Sequence, residues 1–388
     1  MRETLHLLHF SREGLSVKRL KIMFFFYRLG GGGAARTILN IVNHLDRTKF
    51  EPILVTLDFT YDYEQYVKDD VTFIKLPTKR LRKSMIPLAK LIRNERPDVL
   101  FSTVATYNVI TILAKLLSLT NVRVIVREAA LLGGTKREDR KLKVYGFLYK
   151  FANRVVALSE GVKENVIKKY NVKEDKLTVI YNPVDLSHID KQATNERLPK
   201  NLVAILKQNE RLIVTAGRLV EEKDQRTLLN AFQLVRREMN CQLAILGEGE
   251  LEEDLKRYAT DLGIADDVHF VGFQQNPYVF FKHADVFALT SRSEGFGHVL
   301  VEALATKTPI ATTRCNPGAD EVLANGEYGK VCDVGDAETM AQHMIELLNL
   351  TEAERTKIVE KGRKRANQFA VEKIVEQYER LFRETADS

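Results

Sequence analysis

The sequence predicts an α/β protein made of two doubly wound halves, each a parallel sheet covered by helices, and three features carry that expectation. Short β-branched and aromatic runs alternate with longer helical patterns along the whole chain, which is how βαβ units look in sequence. At 388 residues the chain exceeds one ordinary core and divides into two domains, each able to bury an interior. Glycine turns recur where a strand-like run gives way to a helical one, the arrangement of nucleotide-binding sheets.

Taken in order, residues 1–20 stand as an extension before the first strand. Arg2, Leu5, Leu7, Leu8 and Phe10 mimic a weak signal, but Glu3, His6 and His9 interrupt it and no small-residue cleavage site follows. The first half offers strands at 21–27, 52–57, 71–76, 98–103, 122–127, 155–159 and 177–181, with helices such as 34–45 and 85–95 between them. The turn Asn182-Pro183-Val184-Asp185 and the polar stretch 190–201 mark a boundary, giving domains at 21–189 and 190–368. The second half offers strands at 212–216, 242–246, 268–273, 286–290, 309–313 and 330–333. A last segment, 369–388, contains a helix with Ile374, Tyr378 and Leu381 on one face.

Composition narrows the class. Apolar residues make up 45% of the chain, and no run approaches the roughly 18 residues of a membrane span. Cys241, Cys315 and Cys332 are far apart and lack metal-ligand spacing, so reduced thiols in a cytosolic fold are expected, with no disulfide and no zinc. The net charge of +7 gathers partly at Lys79-Arg80-Leu81-Arg82-Lys83 and between Lys136 and Lys143. Anionic lipid head groups, nucleic acid, a phosphorylated substrate or plain solvent all suit such patches.

The run Ser293-Glu294-Gly295-Phe296-Gly297-His298 through Glu302 says most about chemistry. A carboxylate on a loop, a Gly-Phe-Gly turn and a second carboxylate inside the helix it opens suit a polyhydroxylated, anionic ligand. Glycines allow close backbone approach, free N–H groups at the helix start attract negative oxygens, and carboxylates accept from sugar hydroxyls. A nucleotide-sugar meets that description. Gly217-Arg218-Leu219 ends the first strand of the second half, and Lys223 follows before a helix, so two cations stand ready to neutralise a diphosphate. Leu246-Gly247-Glu248-Gly249 closes the next strand and opens space below a nucleotide.

Rival chemistries are weaker. Gly30-Gly31-Gly32-Gly33 before Ala34-Ala35-Arg36 suits phosphates, yet a dinucleotide fingerprint orders its glycines differently, and Asp58 is the sole ribose-binding candidate for that reading. No Gly-Lys-Ser/Thr follows, which excludes a Walker loop. Two catalytic carboxylates of a glycoside hydrolase lie roughly 5–5.5 or 6.5–9.5 Å apart, whereas eight helical residues span roughly 12 Å. His298 and His283 read as packing or capping residues. No Asp-x-Asp occurs, so a divalent-cation clamp has no evident ligands.

At these residues the chain resembles the retaining glycosyltransferases of family 4, whose GT-B architecture sets two Rossmann-like domains face to face. The matching features are the glycine-rich turn ending in Arg36, Gly217-Arg218-Leu219 with Lys223, Leu246-Gly247-Glu248-Gly249, Val271-Gly272-Phe273, and Ala284-Asp285-Val286-Phe287 leading into Glu294 and Glu302. They occur in that order between Lys21 and Phe382. The resemblance implies an acceptor-binding first domain, a nucleotide-sugar-binding second domain and a last helix crossing back to the first.

It further implies that Glu302 holds the ribose, Glu294 contacts the donor hexose, and the amides of Gly295, Phe296 and Gly297 meet sugar and phosphate. Arg218 and Lys223 would stabilise the departing diphosphate, and Gly31, Gly32, Gly33, Arg36, Gly217, Gly247, Gly249 and Phe273 would line the substrates. Many relatives carry a histidine where this chain has Arg127-Glu128. Glu128 is carried over as a contact to donor or acceptor sugar, with a strand-end ion pair to Arg127 as the alternative.

The expected activity is transfer of a hexose or N-acetylhexosamine, with retained configuration and no cofactor or metal, from a UDP-sugar to a carbohydrate or polyprenyl-diphosphate acceptor. The expected place is the cytoplasm or the inner face of the cell membrane, in contact with anionic lipid and not with nucleic acid. A dinucleotide-dependent oxidoreductase and a non-catalytic sugar-nucleotide sensor remain the alternatives.

Overall fold

The structure, a computed structural model, describes residues 18–30, 32–194, 198–206 and 210–388. Of the expected extension, residues 1–17 lie outside the described residues, and so does the expected ligand residue Gly31.

Seven strands form the first sheet: β1 (Leu20–Phe25), β2 (Phe50–Leu57), β3 (Thr72–Leu76), β4 (Val99–Thr103), β5 (Arg123–Glu128), β6 (Arg154–Ala157) and β7 (Leu177–Val179). Their order is β3-β2-β1-β4-β5-β6-β7. Six form the second: β8 (Arg211–Ala216), β9 (Cys241–Leu246), β10 (Val268–Gly272), β11 (Val286–Leu289), β12 (Ile310–Thr313) and β13 (Lys330–Cys332), in the order β10-β9-β8-β11-β12-β13. Every pairing is parallel, and strands such as β9 are buried at all positions because helices cover both faces. All thirteen expected strands are present, their ends shifted by one or two residues.

In each sheet the order reverses beside the first strand, between β1 and β4 and between β8 and β11, and such switch points open a crevice at the carboxyl ends of the strands. Loops from those ends of the two sheets meet. A Cβ placed on Gly33, after β1, lies 2.9 Å from the His298 ring, after β11; one on Gly295 lies 3.0 Å from the Ala129 carbonyl, after β5. The two halves therefore face one another.

The Leu186–Ala193 helix packs on the Tyr278–His283 and His298–Ala305 helices, and the expected division at 189/190 falls within it. The last helix, Val371–Ala386, returns to the first sheet. Its Tyr378 and Phe382 rings stand 5.7 and 5.8 Å from Phe101, while Phe382 also meets Phe24 edge-on at 5.8 Å. Among the described residues no helix is long and apolar enough to cross a membrane.

Candidate functional site

On the second domain, three strand-end loops are folded onto one another. Gly217 donates to the Leu246 carbonyl at 2.9 Å, and Gly247 donates to the Gly272 carbonyl at 2.9 Å. Gly247 has φ +128°, and a Cβ there would stand 2.0 Å from the Gly217 carbonyl oxygen; one on Gly249 would stand 2.2 Å from that of Leu219. These two glycines thus seat one strand-end loop on the next. Phe273 follows β10, 64% exposed as a residue and with its N–H donating to Glu248 at 3.3 Å.

The loop after β8 carries Arg218, exposed and without a side-chain partner among the described residues, and then Lys223, which forms an ion pair with Glu294. Ser291 donates to the same Glu294 oxygen at 2.9 Å. The loop's own backbone fixes Glu294, whose N–H donates to Cys315 at 3.2 Å and whose carbonyl accepts from Gly318 at 2.9 Å. Three of the expected residues are thereby gathered on adjoining loops.

Gly297, in the left-handed region at φ +79°, caps the His298–Ala305 helix. The Phe296 ring is buried against Tyr181 and Phe369, which leaves the backbone amide, the group expected to meet the substrate, as what this residue offers. Glu302 lies one turn into the helix with its side chain 3% exposed, paired with Arg36 of the first domain. That carboxylate raises the already basic Arg36 further, against the opposing effect of burial.

The first-domain wall is tied together by a polar chain. Thr37 donates to the Gly33 carbonyl at 2.8 Å and to Asn182 at 3.2 Å, and Asn182 also accepts from Arg127. Arg127, fully buried, donates onward to Thr103 at 3.1 Å and to Tyr378 at 3.0 Å. His298 stands 3.5 Å from Thr37, and burial, with Arg36 and Arg127 nearby, pushes its imidazole down to about 3. It is a neutral wedge between the domains. Gly33 lacks a side chain because that ring occupies the space, while Gly32, at φ +118°, faces open space.

Glu128 sits elsewhere than either sequence reading placed it. Only 1% exposed, it accepts from Tyr149 and, at 3.1 Å, from Asn108, and it makes no ion pair with Arg127. Alternation along β5 turns its carboxyl into the helical layer and not toward the loops that meet the second domain. Burial outweighs the hydrogen bonds and pushes it up to about 7. Because the folded protein then holds a proton that the unfolded chain has lost, stability falls as pH rises from about 4.5 to about 7, by up to about 3 kcal/mol. Glu128→Gln keeps the shape without the charge, so its melting temperature should gain on the wild type across that window. An equal difference at about pH 5 and about pH 8 would contradict this.

Two contributors were not legible beforehand. The Glu321 carboxylate accepts from the N–H groups of Glu160 and Gly161 at 2.9 Å each, capping a first-domain helix from the second domain. Arg28 donates to Tyr61 at 2.6 Å and lies over the Tyr61 and Phe59 rings, forming an aromatic and cationic wall after β1. Pairing of a cap with a distant chain segment leaves no local sequence signal. Among the described residues no three His, Cys, Asp or Glu side chains gather as metal ligands.

Two facing parallel-sheet domains, with carboxylates and cations converging on the strand-end loops of the second, define a GT-B glycosyltransferase. Residues 31–188 match the family model described as Glycosyltransferase Family 4, and residues 200–365 match that of Glycosyl transferases group 1. The chain belongs to the family 4 glycosyltransferases.

It is 27% identical over 346 residues to the N-acetylgalactosamine-N,N'-diacetylbacillosaminyl-diphospho-undecaprenol 4-alpha-N-acetylgalactosaminyltransferase of Campylobacter jejuni, covering 84% of this chain and 90% of that one. It is 27% identical over 295 residues to the UDP-Gal:alpha-D-GlcNAc-diphosphoundecaprenol alpha-1,3-galactosyltransferase of Escherichia coli, covering 72% and 76%. Among solved structures, Anabaena HepE in complex with UDP superposes with a TM-score of 0.79 at 20% identity, over 94% of this chain and all of the other, which bears on the fold.

Proposed function

We propose that this glycosyltransferase moves a hexose or N-acetylhexosamine from a UDP-sugar to a polyprenyl-diphosphate-linked acceptor in the assembly of a cell-surface polysaccharide or glycolipid, with retention of configuration. One observation carries the reading: Lys223 and Glu294 are held together on loops that also present Arg218, so a cation pair and a sugar-binding carboxylate serve one substrate. The relatives above act on diphospho-undecaprenol sugars, and one names UDP-Gal as donor, which supports acceptor class and nucleotide alike.

In this reading Glu302 accepts from the ribose hydroxyls, Glu294 from the hexose, and the Gly295, Phe296 and Gly297 amides meet the sugar and its phosphates. The bond from the anomeric carbon to the diphosphate oxygen breaks as an acceptor hydroxyl approaches on the same face, and its proton passes to the departing phosphate. No side-chain nucleophile is required. Arg218 and Lys223 oppose the charge growing on the leaving group, the largest single contribution to such a rate and one that needs no metal. The enzyme works at the inner face of the membrane, where its acceptor is anchored.

Binding gives a direct test. UDP at about 100 times its dissociation constant should stabilise the fold by about 2.7 kcal/mol, while NAD leaves the melting temperature unchanged. UDP should then be released from one UDP-sugar in the presence of a lipid-linked acceptor. Stabilisation by NAD alone points to an oxidoreductase; stabilisation by UDP without release from any donor points to a sensor.

A further inference from the structure

At the amino ends of β5, β6 and β7, opposite the donor loops, the first domain holds a pocket of about 560 Å³ into which Lys115, Arg123, Lys150, Arg154 and Lys176 converge. We propose that this pocket docks the phosphorylated head groups of an anionic bilayer. The inference rests on the membrane-borne acceptor of the reading above and names the surface that meets the membrane.

Topology creates the cluster. Arg123 opens β5, Arg154 opens β6 and Lys176 immediately precedes β7, so three neighbouring parallel strands bring three cations to one sheet edge. Lys115 comes from the Ala105–Ser118 helix, and Lys150 ends the Lys136–Tyr149 helix. Among the described residues no acidic side chain lines the pocket, and the last residue, Ser388, belongs to its wall. Among the described residues Lys115, Arg123, Lys150 and Arg154 form no ion pair, and Lys176 donates to the Lys150 and Ala152 carbonyls at 3.0 Å. Five like charges drawn together with no acidic side chain among them repel one another, and an anion with several oxygens relieves that repulsion.

The rim selects a lipid over a soluble anion. Phe151 belongs to the pocket wall, and Val144, Phe147 and Phe151 continue a line begun by Arg140 along one face of the Lys136–Tyr149 helix. Val144 is 60% and Phe147 58% exposed, and Leu119, two residues before Asn121 of the wall, is 87% exposed. Lys150 sits 5.4 Å from the centre of the Phe147 ring. Aromatic and aliphatic tips among cations are the chemistry of a segment lying in an anionic interface; a free phosphate would use the cations alone.

The same helix links this pocket to the transferase site. It follows the loop whose Ala129 carbonyl touches Gly295, and its fourteen residues run roughly 21 Å to the pocket wall at Lys150. A bilayer lying along it keeps the donor loops beside the membrane surface, where a polyprenyl-anchored sugar can reach them.

The test uses the full chain, sedimented with vesicles of phosphatidylcholine alone or mixed with phosphatidylglycerol. The wild type should bind only the mixed vesicles, less tightly as salt rises. At roughly fivefold per basic residue, Arg123→Ala with Arg154→Ala should bind about 25-fold more weakly. Phe147→Ser with Phe151→Ser should also bind more weakly, while UDP release to a water-soluble acceptor stays at the wild-type rate in both double variants. Equal vesicle binding by wild type and arginine variant, or none by the wild type, overturns the proposal. So does saturable binding of inorganic pyrophosphate that needs both arginines in a protein indifferent to vesicles, which would make the pocket a soluble-anion site. Absence of UDP release by the wild type, with vesicle binding intact, would sink the transferase reading and leave the docking surface standing.

Discussion

Lys223→Ala should lower kcat about 10²–10³-fold while changing stability far less. The ammonium group lies on a three-residue turn, Glu221–Lys223, after β8, with its side chain 20% exposed and its charge directed at Glu294. Opposing charge on a leaving group in a site shielded from water is worth roughly 3–4 kcal/mol per donor, judged from lost oxyanion donors, which sets the size of the rate loss. Stability is spared because Glu294 keeps its bond from Ser291 and its backbone anchors at Cys315 and Gly318.

Lys223 could act instead only by orienting Glu294, and a double-variant cycle separates the two roles. If orientation were everything, Lys223→Ala would cost nothing further in a Glu294→Gln background. Direct action on the diphosphate predicts a second large loss there, with UDP affinity reduced as well. Turnover equal to the wild type in Lys223→Ala would remove the basis of the proposed mechanism.

What the sequence made legible was periodic or local. Strands such as β9 and β11 announce themselves as short apolar runs because a parallel strand is buried on both faces, and Gly217, Lys223, Glu294 and Glu302 stand beside strand ends or helix starts that such runs locate. Partnerships across the chain were not legible. Arg36 meets Glu302 over 266 residues, Glu321 caps a helix about 160 residues away, and Gly33 is small because His298 fills its space. Glu128 was misplaced for the same reason: a carboxylate at a strand end reads as a ligand until Tyr149 and Asn108, from two helices, are seen to enclose it. Phe296 was read through its backbone amide alone, and the inward packing of its ring on Tyr181 and Phe369 is one more partnership that the local sequence does not announce.

Gly247→Ala should be damaging in both stability and binding, and its comparison with Gly32→Ala shows why. Both glycines have φ in the left-handed half, +128° and +118°, where an L residue is strained by about 1–3 kcal/mol. A Cβ on Gly32 meets nothing within 4 Å, so strain is its only cost. On Gly247 the methyl would lie 2.0 Å from the Gly217 carbonyl oxygen, a backbone atom that cannot rotate aside, and overpacking adds roughly 1–3 kcal/mol. Urea unfolding should therefore show Gly247→Ala less stable than Gly32→Ala by about that second amount.

Relief of the clash requires the Gly217 turn to move by about an ångström, carrying Arg218 and Lys223 away from the place proposed for the diphosphate, and a displacement of that size costs about 10²-fold in rate. Loss of stability with kcat and UDP affinity unchanged would mean that the loop after β9 holds up the fold without setting the position of the cations.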